Sequence, residues 1–334
     1  MKKLIFLLCV LILLTSTNIL FACSKQSEDN ITPPTSPQPS THTCEANIEI
    51  TYHEQDGKLL IGYPCKTCNK IFQPISELVA DLIVKPTDYN VDSLLSSIQS
   101  GDIVIFKSGK HVSHIQSPLN GVSVYGESGT ILNGLKYGNF TNVIFENIEF
   151  ESSTELKNNI NGITFKKCKF SYGVLCEYPI KNITFESCDF IDIVSTKETA
   201  IRLYNYENLT VKNCLFENIA YNALQVGNAT GNCYIYGNTF KDIKSRILYL
   251  IYVENLASCI IENNIFYDHH DNHVPDESYD EMGCKKETGV YIHTKSSSGV
   301  INIGVNTWEN IPTYSVEFIT PIANYNYSEQ IQLL

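Results

Sequence analysis

From residue 143 onward the apolar positions of this chain repeat one pattern. Two apolar residues alternate, a three-residue step leads to Cys, Asn or Ile, and an aromatic follows two residues later. The copies are Val143-x-Phe145-x-x-Ile148-x-Phe150, Ile163-x-Phe165-x-x-Cys168-x-Phe170, Ile183-x-Phe185-x-x-Cys188-x-Phe190, Leu209-x-Val211-x-x-Cys214-x-Phe216, Cys233-x-Ile235-x-x-Asn238-x-Phe240, Cys259-x-Ile261-x-x-Asn264-x-Phe266 and Ile301-x-Ile303-x-x-Asn306-x-Trp308. Alternation of this kind is the strand period, and Val, Ile, Phe, Thr and Tyr favour strands. The Cys/Asn positions from 148 to 264 lie 20, 20, 26, 24 and 26 residues apart. A fixed period of this size predicts a solenoid, with room per coil for about three strands of ~5–6 residues.

Stacking coil on coil makes equivalent residues neighbours, about 4.8 Å apart. Three inward columns are then expected, through Val143, through Phe145 and through the aromatic Phe150, each continuing into the later copies. The Cys/Asn column should lie at a turn, where Asn side chains can bond the backbone of neighbouring coils. Polar turn residues follow each aromatic (Asp192, Asn218, Asp242, Asp268, Asn310), and an Ile follows each of these except at His269. Val91 to Gln99 reads as a short amphipathic helix, with Val91, Leu94, Leu95 and Ile98 on one face, suited to cover a first coil. After Pro312 the repeat is absent, as expected of a cap.

This repeat resembles the right-handed parallel β-helix of the pectate-lyase-like fold, over roughly residues 80–320. The resemblance implies an all-β solenoid whose functional groups sit on an outer sheet face walled by loops. One face can be followed through Ala200–Tyr204, Ala223–Gly227, Leu248–Tyr252 and Gly289–His293. Arg202, Tyr204, Gln225, Tyr249, Tyr291 and His293 are the expected outward residues, with Lys197, Lys244 and Arg246 entering from preceding turns. Tyr204, Gln225, Tyr249 and Tyr291 suit sugar rings, which present apolar faces and hydroxyl rims. Polysaccharide lyases of this fold use Lys or Arg as base, often with carboxylate-held calcium, which points to Arg202, His293, Lys197 and Arg246. Neither the Asp pair and Gly-His-Gly of the pectin hydrolases nor the Trp-Ile-Asp-His of pectate lyases is present, so no catalytic residue carries over.

The chain begins Met1-Lys-Lys and continues in an apolar run from Leu4 to Leu14, which has the form of a secretory signal. Leu20-Phe-Ala-Cys23 resembles a bacterial lipoprotein box, implying cleavage after residue 22 and a lipid on Cys23. Residues 23–41, with Pro33, Pro34, Pro37 and Pro39, read as an extended tether. Residues 42–75 read as a small Cys-containing hairpin module, 80–320 as the solenoid and 321–334 as a C-terminal tail. Glu28 and Asp29 behind Cys23 resemble surface-export signals of Bacteroidetes lipoproteins. Together these features predict anchoring to the bacterial outer membrane, facing the cell surface. The net charge of −12 grows by two units once Lys2 and Lys3 are removed. That argues against nucleic acid as partner, which calls for a basic field.

The chain contains twelve Cys. Cys168, Cys188 and Cys214 fall in one column, Cys233 and Cys259 in another. Parallel side chains on stacked strands do not suit the ~90° disulfide dihedral, so small buried thiols are expected. Cys65-x-x-Cys68 with Cys44 and His53 (or His42) fits a zinc knuckle, and a disulfide among Cys44, Cys65 and Cys68 fits an exported protein equally. The interval from Asn264 to Asn306 is 42 residues, one coil made much longer than its neighbours. It contains Asp268-His-His-Asp-Asn-His273 and further carboxylates to Glu281. Asp268, His269, Asp271 and His273 suit a divalent ion such as calcium or zinc, although no known motif spacing is matched. Three functional readings remain open at this point: a glycan-binding surface protein, a polysaccharide lyase or glycoside hydrolase with an unusual site, and an adhesin or structural surface protein.

Overall fold

The structure is a computed structural model. It describes residues 49–67, 71–157, 159–176, 178–195, 198–243, 251–267, 290–295, 300–309, 315–318 and 325–327, with the backbone alone at 71–73, 251–256, 290–295, 300–301, 308, 315–318 and 325–327. Residues 1–48, where the sequence predicts a leader, a lipid on Cys23 and a tether, and the 268–281 segment lie outside these residues.

The expected solenoid is present: an all-β parallel β-helix whose described residues make about eight turns. Each coil contributes strands to three walls. In four successive coils the second wall holds Phe140–Glu146, Ile160–Lys166, Ile180–Glu186 and Leu209–Lys212. The third is a nine-stranded parallel sheet that includes Asp189–Ile191, Leu215–Ile219, Thr239–Ile243 and Ile265–Tyr267. The first wall holds Val174–Cys176 and Ile201–Tyr204, then continues into the long strand Leu224–Tyr236, which bends from the first wall into the second. Register shifts between Ala229 and Asn232 mark the bend where this strand meets the next coil. A Cβ on Gly231 would lie 1.7 Å from the Glu207 carbonyl, so only glycine lets the two backbones approach there.

All three inward columns fall in the expected register. Val143, Ile163, Ile183, Leu209, Cys233, Cys259 and Ile301 pair in succession, as do Phe145, Phe165, Phe185, Val211, Ile235, Ile261 and Ile303. The third column runs Phe150, Phe170, Phe190, Phe216, Phe240, Phe266 and Trp308. The rings from Phe150 to Phe266 stack nearly parallel, with centroids 4.8 Å apart from Phe170 to Phe190 and from Phe190 to Phe216. One coil rise therefore equals one stacking distance. Each buried ring contributes about 1.5–3 kcal/mol by leaving water, and a stacked neighbour adds about 0.5–1.5 kcal/mol.

The turn between the second and third walls is built as the Cys/Asn column predicts. Asn264 Nδ2 donates to the Ile235 carbonyl of the preceding coil and to Asn306 Oδ1, both at 3.0 Å. Asn264 Oδ1 accepts from the Asn238 backbone N–H and from Asn238 Nδ2, both at 3.0 Å. Cys168 and Cys188 stand in the same column, and their thiols donate to the Phe145 and Phe165 carbonyls at 3.3 Å. The residue before this column has positive φ in each of six coils: Asn147, Lys167, Ser187, Asn213, Gly237 and Asn263. Asp192, Asn218 and Asp242 are also left-handed, which Asn and Asp tolerate best. Ile193, Ile219 and Ile243 behind them are buried.

Cys168, Cys188, Cys214, Cys233 and Cys259 form no disulfide and are buried. Burial pushes the Cys188 thiol well above its ordinary value, and the hydrogen bond with Cys233, then burial, does the same for Cys259. Protonated, enclosed thiols of this kind are poor nucleophiles and poor metal ligands.

Outside the second wall, charges alternate from coil to coil. Glu146, Lys166, Glu186 and Lys212 share one register column, with Lys166–Glu146 at 3.4 Å and Lys212–Glu186 at 3.0 Å.

The helix (α1) spans Val91–Leu95, shorter than its sequence suggests. The Ser96 and Ser97 hydroxyls donate back to the Ser93 and Leu94 carbonyls, and the chain leaves the helix there. Asn90 caps its start by accepting from the Ser93 N–H at 3.1 Å. Leu82–Val84 precedes the helix and already pairs in parallel with Ile103–Phe106, so the helix belongs to the first turn rather than lying ahead of it.

Of the described residues, those within 49–53 and 60–77 belong to one compact unit, and those within 54–59 and from 78 onward to another. In the first, Cys65 is buried and His53 half-buried. The expected hairpin is present as Thr51–Gln55 and Lys58–Pro64, joined through Asp56-Gly57 with positive φ at both, as a tight hairpin turn requires. In the second unit, Lys107 pairs with Glu54 and with Glu127, whose carboxylate also accepts from the Glu54 and Ser108 N–H groups at 3.0 Å.

Candidate functional site

Of the residues singled out in the sequence, Arg202, Tyr204 and Gln225 lie on the first wall with their side chains described. Strand alternation turns Ile201 and Leu203 inward, both fully buried, which leaves Arg202 and Tyr204 on the outer side, half-buried. Register then aligns Leu175, Arg202, Gln225, Tyr252 and His293 in one column along the solenoid axis. The Arg202 guanidinium lies 5.7 Å from the Tyr204 ring centroid, a cation–π contact that holds both side chains against the face. Thr199, itself buried, places its hydroxyl 3.4 Å from Gln225 Oε1.

Tyr252 stands beside Gln225 in the register, while Tyr249 lies outside the described residues. The register skips Tyr291, where the Val290–Lys295 strand shifts between Val290 and Ile292 against the following strand. His293 pairs with Tyr252. Lys197, Lys244 and Arg246 lie outside the described residues, as do Cys44, Cys68, His42, Asp268, His269, Asp271 and His273. Among the described residues no group of three or more His, Cys, Asp and Glu side chains is placed to hold a metal ion.

Glu198, just before this wall, was not anticipated. Burial pushes its carboxyl above the usual carboxylate range, and its Oε2 lies buried with no hydrogen-bond partner among the described residues.

A second feature is a groove of about 590 Å³ at the bend between the first and second walls. Its polar lining includes Asn159, Asn161, Lys181, Asn205, Glu207 and Asn228. Asn205 and Asn228 have positive φ and mark the bend in successive coils. The Asn228 amide donates to Asn205 Oδ1 at 3.3 Å, and the Asn182 amide donates to Asn161 Oδ1 at 2.9 Å. Lys181 and Glu207 form an ion pair at 2.5 Å. The sequence held a trace of this corner. An Asn or Gly immediately precedes the first apolar residue of the repeat at Asn142, Gly162, Asn182, Asn208 and Asn232.

No family model matches this chain, and no curated protein does. Among solved structures, Geobacillus virus E2 ORF18 is similar at 13% identity with a TM-score of 0.31, over 71% of this chain and 62% of that one. The chain thus spans less than two thirds of that protein's length.

Proposed function

We propose that this protein binds glycan at a bacterial cell surface, held there by a lipid on Cys23. The observation that carries the reading is the outer column on the first wall. A guanidinium held over a tyrosine ring, with an amide beside it, offers a sugar both a flat apolar surface and hydrogen-bond partners. The rigid stacked core beneath supports this arrangement by fixing the spacing of outward side chains at one coil rise, ~4.8 Å. The signal-like leader, Cys23 and the proline-rich tether support display at the outer membrane.

The test is incubation of the full secreted chain with a panel of glycans, with and without calcium. Saturable binding without turnover, weakened by Arg202→Ala, is the expected result. New reducing ends or unsaturated-uronate absorbance would replace binding with catalysis. No interaction with any glycan would leave an adhesive or structural role. Mass spectrometry of the mature N-terminus checks the anchor: a Cys23 without acyl chains contradicts it.

A further inference from the structure

We infer that the groove at the bend of the solenoid binds an uncharged oligosaccharide lying along the solenoid axis. The inference rests on the glycan reading above and names a different site and ligand class. Three observations carry it.

The first is extent. Thr141, Asn161 and Lys181 are register partners in three successive coils, Glu207 pairs at the same level in the fourth through the Ile180–Tyr206 bridge, and Thr230 follows in the fifth. Four coil steps make a trough ~19 Å long at ~4.8 Å per step. That shape suits an extended oligomer better than a compact metabolite, and the volume lies within the ~300–1,000 Å³ usual for ligand sites.

The second is chemistry. Asn159, Asn161, Asn205 and Asn228 present amides, and Thr141 and Thr230 hydroxyls. An amide both donates and accepts, as a sugar hydroxyl does, so this lining matches hydroxyls in kind. Pro179 and the edges of Ile160 and Ile180 supply apolar floor.

The third is charge. Among the described lining residues the only charges are Lys181 and Glu207, and they neutralise each other at 2.5 Å. A polyanion would meet no uncompensated cation in the trough and would approach a chain of net charge −12. An uncharged glycan meets neither obstacle.

The experiment is calorimetric titration of the full secreted chain with cellohexaose, xylohexaose, mannohexaose and hexagalacturonate. The inference predicts that at least one uncharged hexasaccharide binds and its disaccharide binds at least about tenfold more weakly. Asn161→Ala, at an exposed position, should weaken that binding about tenfold with an unchanged circular dichroism spectrum. Glu207→Gln frees the Lys181 charge and should raise affinity for hexagalacturonate relative to wild type. Two results overturn the inference while leaving the glycan reading standing. One is binding of hexagalacturonate alone. The other is uncharged-glycan binding that survives Asn161→Ala and Glu207→Gln but disappears in Arg202→Ala. Failure of all four oligomers to bind overturns the inference and the glycan reading together.

Discussion

The turn between the second and third walls is closed in two ways within one solenoid. In the earlier coils Cys168 and Cys188 donate a thiol hydrogen to the carbonyl of the preceding coil. In the later coils Asn238, Asn264 and Asn306 donate to the equivalent carbonyls of Val211, Ile235 and Ile261. The amides also accept from the backbone N–H of the coil before, at Cys214, Asn238 and Asn264. A thiol is a weak, single donor, whereas an amide both donates and accepts. The earlier coils compensate with phenylalanine: Phe145, Phe165 and Phe185 fill the second column, where the later coils have Val211, Ile235 and Ile261. One half is held more by aromatic packing and the other more by a buried amide ladder.

That contrast can be broken at chosen points. The largest effect is expected for Phe190→Ala, which opens a cavity between two stacked rings. Denaturant unfolding should show a loss of about 3–5 kcal/mol, and a loss below 1 kcal/mol would contradict a close-packed column. Next comes Asn264→Cys, which imposes the earlier chemistry on a later coil. It strands the Asn238 backbone N–H and one N–H of its side-chain amide, whose other N–H keeps the Val211 carbonyl, at about 1–3 kcal/mol for each unsatisfied group. The reverse exchange, Cys188→Asn, should cost less than about 1 kcal/mol, because an amide there can still reach the Phe165 carbonyl. Equal costs for the two exchanges would show that the two turn types are not different in kind. The smallest effect is expected outside. Lys212→Ala removes the ion pair to Glu186 and should change stability by less than about 1 kcal/mol.

Much of the interior was legible in the sequence because one spacing repeats and parallel stacking preserves it. Val143 predicts Ile163, and Ile163 predicts Ile183, with no knowledge of the turns between them. The outer face was less legible. Leu248 to Tyr252 is apolar at every position, so a period of two cannot say whether Tyr249 or Tyr252 falls beside Gln225. The helix came out shorter because Ser96 and Ser97 compete for helix carbonyls, a local effect that an apolar face does not report. The groove was hidden for another reason. It depends on where successive coils bend, at left-handed Asn205 in one and at left-handed Asn228, within Leu224–Tyr236, in the next, with the close approach at Gly231 beside it. Asparagines scattered at turns do not announce a trough until the coils are stacked.

The central claim is that the inner columns hold the fold while outer side chains at the coil corners take the ligand. Thermal unfolding of wild type and Asn161→Ala, each with and without the tightest-binding uncharged hexasaccharide, tests it directly. Ligand that binds the folded chain raises Tm by mass action. The account predicts equal Tm values for the two unliganded proteins, and a ligand-induced rise in wild type that is largely absent in Asn161→Ala. A variant that melts lower without ligand yet keeps the full ligand-induced rise would contradict it.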